Sequence, residues 1–380
     1  MKKILVINTG STSVKYKLFQ GEEEIKAGFY ENVGKNVYKF SDLLKGDVKE
    51  ISQDDYNTCI GAILKGTSPD VVGYRVVHGG ELFKYPTLIT DEVLDNLGAL
   101  NSLAPLHNPP AIQRIQEARE LLPDIEHIAV FDTEFYATLP EKAYLYGVPY
   151  ELYEKHKIRK YGFHGISHEY LTQIALSKIE TNEHARLITC HLGGGGSITA
   201  SVGGKSIDTS MGFTPLEGIM MATRSGDVDN GVQHYLETKL GYSENEIYNI
   251  LNNQSGLLGV SGYTRDMRVI LEDYEAGKDE ANRAISLYVY KIQKYIGSYI
   301  ASLNGLDALV FSGGVGYGSH VIRKLITDNL DNFGITINAE KNKHLTTIGE
   351  NIADGAVAVF VIESDEERMI MNKISHKNYK

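Results

Sequence analysis

The chain has 380 residues, 42% hydrophobic and 23% charged, enough for one large core or, at ~100–200 residues per domain, two. Its 38 Lys and Arg against 49 Asp and Glu give a net charge of -11 at pH 7. With no Lys/Arg block, this argues against a nucleic-acid binder, which needs a basic stripe. No apolar run approaches membrane-spanning length, and the apolar part of MKKILVINTG is too short for a secretory signal, so a soluble cytoplasmic protein is expected.

In chain order, ILVINTGSTSVKYKLF reads as an apolar strand, a Gly/Ser/Thr turn and a second strand. Cys59 and Cys190 lie far apart with no Cys or His at metal-ligand spacing, and are read as two reduced, packed thiols. Arg75 in VVGYRVVHGGELF is either a surface ion-pair partner or one half of an anion clamp. His107 in APLHNPP and His164 in YGFHGISH fall in Gly/Pro-rich loops, where side chains are presented to ligands or satisfied locally. Asp132 in AVFDTEF follows an apolar run, the place where a strand end delivers a carboxylate into an α/β cleft or where an Asx turn forms.

The second half opens with LITCHLGGGGSITASV, which repeats the layout of the first hairpin. Small residues in such turns either close the hairpin or let backbone N–H groups face an anion with no Cβ in the way. Arg224 in PLEGIMMATRSGD would meet Arg75 only across a closed cleft, on an anionic substrate or a phosphoryl group gathering charge. From Ile285 the apolar positions Val289, Ile292, Ile296, Ile300 and Leu303 predict a long core helix capped at Gly305. ALVFSGGVGYGSHVIRKLI then predicts a strand from Ala308 to Phe311, a glycine loop and an amphipathic helix, a nucleotide-type arrangement that matches neither the P-loop nor the dinucleotide fingerprint.

Taken together, INTGSTSVKY, YRVVHGGE, APLHNPP, VFDTEF, PYELYEKHKIRKYGFHGISH and DTSMGFTPLEGIMMATRSGD resemble the acetate kinase family of short-chain acyl kinases, relatives of sugar kinases, actin and heat-shock chaperones. The similarity runs from Ile4 to about Ile370. It implies an α/β, duplicated ribonuclease-H-like (actin-like ATPase) fold with nucleotide between the halves. Residues 1–134 would form the first domain, with 368–380 packing back on it, and 135–367 the second, which would also carry a homodimer surface.

The resemblance also implies roles. Asn8, Ser11, Ser13 and Lys15 would line the first phosphate-facing turn. Arg75 and Arg224 would hold the acyl carboxylate and the transferring phosphoryl group, with His164 hydrogen-bonding the latter and His107 supporting it. Asp132 and Glu366 of ESDEERM would organise Mg²⁺ together with Asn8. Val77, Leu106, Phe163 and Pro215 would line a small apolar pocket for the acyl chain, while His191, Gly193, Gly194, Gly195, Asp266, Arg268, Gly313, Gly314 and Gly316 would serve ATP or ADP. Acetate is already ionised at neutral pH, since free carboxylic acids titrate near ~4, so in-line transfer needs no general base.

The departures from the family pattern fall on the donor side. HLGNG is here HLGGG, with Gly194 in place of asparagine; GGIGEN is GGVGYG, with Tyr317 and Gly318; and Arg265 follows GVSGYT. Compensation by Tyr317 stacking on a base or Arg265 reaching phosphate is one reading, a pyrophosphate donor another; the retained glycines favour a nucleotide. Propionate or butyrate in place of acetate, and a nucleotide-binding module without catalysis, are the further alternatives.

Overall fold

In the computed structural model, residues 1–376 are described except 11, 35, 102, 106, 180–182 and 348. The chain divides into two compact units, one of residues 1–137, 165–167 and 365–380, the other of 138–164 and 168–364.

The first unit is built on strands β1 (Lys3–Thr9), β2 (Ser13–Gln20), β3 (Glu23–Gly34), β4 (Val37–Asp42), β5 (Asp47–Ile51), β6 (Val71–Val76), β7 (Thr87–Leu88) and β8 (Glu126–Phe131). They form one sheet in the order β5-β4-β3-β2-β1-β6-β8-β7. β1 runs parallel to β6, and β6 to β8; these strands are apolar along nearly their whole length because both sheet faces are covered. On one face Leu5, Ile7 and Val72 join Ile60 and Ile63 of the helix Cys59–Thr67 and Ile112 and Ile115 of the helix Asn108–Leu121. On the other, the helix Glu366–Ser375 lies against β1 and β6. Gly73 permits that approach, since an added Cβ would overlap Ile374 and press to 3.0 Å of Ile370 Cγ2.

The second unit repeats the plan with β9 (Arg186–Leu192), β10 (Gly196–Val202), β11 (Lys205–Thr209), β12 (Ala308–Ser312), β13 (Glu350–Asn351) and β14 (Ala358–Val361), ordered β11-β10-β9-β12-β14-β13. In each unit an antiparallel hairpin leads and two parallel strands follow on the side of its first strand, so the echo between the two hairpin sequences is a duplication of topology. The helix Asp279–Leu303 buries Ile285, Val289, Ile292, Ile296 and Leu303. Its left-handed closing residue is Asn304 (φ 53), one position before the expected Gly305, because asparagine tolerates that conformation well. The expected glycine loop contains a helical turn, Gly313–Gly316, followed by the helix His320–Thr327 capped by Ser319. Both cysteine thiols are free and buried; burial pushes Cys59 up to about 11, as an inert packed thiol requires.

Candidate active site

In the first unit the ends of three adjacent strands meet one helix start. Asn8 pairs in register with Arg75, and Asp132 directly follows β8, its N–H bonded to Val76 O. The Asp132 carboxylate is buried and takes two parallel bonds from Arg75, Nε–Oδ1 at 3.0 Å and Nη2–Oδ2 at 2.6 Å. Arg75 Nη1 reaches Asn8 Oδ1 at 3.2 Å and stands 3.6 Å from Glu366. Asn8 Nδ2 donates to Glu366 at 3.1 Å and to Glu367 at 2.7 Å, and Lys15 holds Glu367 at 2.7 Å. Burial opposes the Arg75 charge, but Asp132 foremost and then Glu366 and Glu367 outweigh it and hold the guanidinium more firmly protonated than usual. Three carboxylates (Asp132, Glu366, Glu367) against two cations (Arg75, Lys15) leave about one excess negative charge, supplied by oxygen donors of the kind a hard cation prefers. Among the described residues no group of three His, Cys, Asp or Glu forms a closed metal cage.

In the second unit the hairpin turn between β9 and β10 carries Gly193, Gly194 and Gly195. A Cβ on Gly193 would lie 3.8 Å from the backbone N of Gly314, so the two glycine clusters converge. A Cβ on Gly195 would lie 3.4 Å from His164 Nε2 and 3.5 Å from Arg224 Nη1, so both side chains face the same turn. Gly313 (φ 75) lies so close to the Leu192 backbone that an added Cβ would sit 2.5 Å from its carbonyl oxygen. Arg224 Nη1 donates to Pro215 O at 3.2 Å and contacts Met221 Sδ, and among the described residues it has no carboxylate partner. Burial pulls its guanidinium below the ordinary arginine range. A partly buried cation without a counter-ion is costly unless an anion completes it. His164 adopts a left-handed backbone (φ 57), a strained conformation for a non-glycine residue, where the helix Gly165–Leu176 begins.

The site residues expected from sequence thus fall into two sets. Asn8, Lys15, Arg75, Asp132 and Glu366 gather in the first unit, while Ser13 starts β2, Val77 is buried just after β6 and His107 precedes the helix Asn108–Leu121. His164, Gly193, Gly194, Gly195, Arg224, Gly313, Gly314 and Gly316 gather in the second, with His191 stacked on His164 at 4.6 Å between ring centroids, Phe163 buried and Pro215 bonded to Arg224. Asp266 and Arg268 pair with each other at 2.7 Å in an exposed bridge. Ser11 and Leu106 lie outside the described residues.

Four residues escaped the sequence reading. Glu367, neighbour to the expected Glu366, is the more buried carboxylate and the one that takes Lys15. Arg323, fully buried, donates to Gly316 O at 3.0 Å and Tyr317 O at 2.5 Å and so anchors the glycine turn from behind; burial pulls it down to about 10. Ser197 and His168 form a buried chain behind His164. Only the polar alternation of GSITASV against buried Ile198 and Ala200 hinted at the last.

The donor-side departures differ in their room. A Cβ on Gly194 would meet nothing within 4 Å, whereas one on Gly318 would meet Gly314 O at 2.5 Å. Tyr317 packs against the core of its unit, which commits its ring, while Arg265 is exposed with no ion pair among the described residues. Gly194→Asn is therefore expected to fold with an unchanged melting temperature and to lower KM for nucleotide severalfold, whereas Gly318→Asn is expected to melt lower; thermal melts and ADP titrations check both.

A family model described as the acetokinase family matches residues 3–372. The acetate kinase of Bacillus cytotoxicus is 43% identical over 393 residues, covering 98% of either chain. Among solved structures, a propionate kinase from Francisella tularensis aligns with a TM-score of 0.90 at 40% identity, covering 98% of this chain and 99% of that one. The acetate kinase of Porphyromonas gingivalis aligns with a TM-score of 0.90 at 37% identity and 99% coverage of both. With its two duplicated α/β units and a match over nearly its whole length, the chain belongs to the acetokinase family, whose members are phosphotransferases with a carboxyl group as acceptor.

Proposed function

We propose that the protein catalyses reversible phosphoryl transfer between ATP and acetate, giving acetyl phosphate and ADP. The observation that supports this most is Arg224, a guanidinium without a carboxylate partner among the described residues, facing the same glycine turn as His164. Such a set binds a phosphoryl group and stabilises the charge that gathers on its equatorial oxygens.

Acetate attacks as the carboxylate, so no side chain must take a proton from it. Asp132 is accordingly a positioning group: its two bonds from Arg75 fix the guanidinium plane. Of the five N–H groups an arginine offers, Asp132 and Asn8 occupy three; Glu366 stands 3.6 Å from Nη1, and the Nη2 proton not used by Asp132 is left for an anionic oxygen. In this reading Arg75 holds the acyl carboxylate, with Val77 against its methyl group. Asn8 and Glu366 hold Mg²⁺, which when bound neutralises charge on the donor phosphates. Glycine N–H groups of the turns at Gly193 and Gly313 take the donor. In-line transfer then depends on positioning and charge.

An assay with acetyl phosphate and Mg²⁺, offering ADP and inorganic phosphate in parallel, tests this. Rapid ATP formation is expected; pyrophosphate formation without ATP would replace the donor assignment, and neither product would overturn the proposal. Replacing acetate by propionate is expected to cost specificity by about 1–3 kcal/mol, roughly tenfold to a hundredfold in kcat/KM. Glu366→Gln is expected to raise the Mg²⁺ concentration for half-maximal rate about tenfold or more, read from Mg²⁺ titrations at fixed ADP.

The proposal includes a cytoplasmic homodimer. Among the described residues no helix is long and apolar enough to cross a membrane. The helix Asn230–Leu240 buries none of its residues and exposes Val232, Tyr235 and Leu240, with Tyr242 and Tyr248 exposed just beyond, an apolar surface suited to a second copy. Light scattering on the purified chain, with Tyr235→Asp as the disrupting variant, decides this.

A further inference from the structure

Behind His164 lies a file of buried polar groups that the reaction does not itself require. Ser197 Oγ is 2.8 Å from His164 Nδ1 and 2.7 Å from His168 Nε2. His168 Nδ1 is 2.7 Å from Thr189 Oγ1, whose hydroxyl donates to the backbone oxygen of Thr199 at 3.5 Å. Ser197, His168 and Thr189 are completely inaccessible. They occupy positions where an all-apolar filling would avoid desolvating hydroxyls and an imidazole, so a retained, satisfied network points to a task in orientation.

The protons in this file run in one of two directions, set by the tautomer of His168. A serine hydroxyl has a single proton, so between two ring nitrogens Ser197 donates to one and accepts from the other. When the Thr189 hydroxyl turns to Thr199 O, 3.5 Å away, it accepts from His168 Nδ1–H; turned to His168 it would donate and the file would reverse. Burial first, and then the neighbouring His191, hold His168 neutral, with one ring proton. With that proton on Nδ1, His168 Nε2 accepts from Ser197, and Ser197 accepts from His164 Nδ1–H.

We propose that Ser197, His168 and Thr189 are positioning residues that keep a proton on His164 Nδ1 and fix its ring plane, so that Nε2 is presented toward Gly195 beside Arg224. Only when the ring carries a proton on Nε2 as well as Nδ1 can it donate to a phosphoryl oxygen facing Nε2. Both N–H groups are then used when a phosphoryl oxygen faces Nε2. The contacts define the file and the Nδ1–H direction is the one proposed; its bearing on turnover rests on the function proposed above.

Long-range ¹H–¹⁵N spectra of the full chain labelled at histidine read the tautomer directly, with His164→Gln identifying the signal. Neutral His164 is expected as the Nδ1–H form, shifting to the Nε2–H form favoured by free imidazole in Ser197→Ala. In that variant kcat is expected to fall about tenfold to a hundredfold, as for loss of an orienting partner, with KM for acetyl phosphate nearly unchanged. An Nε2–H ring in the unsubstituted protein, or a tautomer unmoved by Ser197→Ala, would overturn the chain even in a fully active enzyme. Conversely, Nδ1–H in a protein without acyl phosphate chemistry would overturn the function and leave the chain standing.

Discussion

Arg224→Ala is expected to lower kcat for acetyl phosphate formation by roughly a thousandfold or more, the scale on which arginines stabilise phosphoryl-transfer transition states. The reason is specific to its surroundings. Arg224 has no carboxylate partner among the described residues and is held by Pro215 O and Met221 Sδ, so its charge is available to a ligand. Removing it breaks no ion pair and relieves a desolvated cation, so the melting temperature is expected to hold or rise slightly. Arg224→Lys keeps the charge but loses the planar fork, and is expected to recover only a small part of the rate. Near-normal kcat in Arg224→Ala, with folding verified by thermal melting, would remove Arg224 from the mechanism.

Gly165→Ala is expected to be as damaging by a different route. The Gly165 N–H donates to Asp132 O at 2.9 Å, and a Cβ there would overlap that carbonyl and press on Phe135 Cβ at 3.1 Å. Backbone overlap of this kind has no flexible side chain to absorb it, so Asp132 or the start of the helix must move. A cost of about 3 kcal/mol is expected. In a chain of this size, at about 2.1 cal/mol/K of unfolding entropy per residue, that is a fall of roughly 4 °C in melting temperature. Because Asp132 sets the Arg75 plane through two bonds, turnover is expected to drop about a hundredfold as well. A melt and a rate both close to the unsubstituted protein would show that Gly165 does not fix Asp132.

By itself the sequence determined the elements whose signals are local. Strand, turn and strand in INTGSTSVKY and in HLGGGGSITA, the long helix beginning near Ile285 and the glycine segment after Phe311 all follow from apolar period and turn residues, and all are present. The motifs also carried the family, because long ordered segments such as DTSMGFTPLEGIMMATRSGD are read without knowing what they touch. What tertiary structure alone decided is pairing between residues far apart in the chain. That Arg75 spends two donors on Asp132 and that Glu367 rather than Glu366 takes Lys15 are contacts between distant segments, set by strand order and helix docking. Ser197 is the sharpest case: a serine in a strand reads as an ordinary turn-flanking residue until the helix Gly165–Leu176 brings His168 to one side of it and His164 to the other. Composition and period say which residues will be buried; which polar partners meet there is a property of the packed fold, because each hydrogen bond needs two groups that the chain alone leaves far apart.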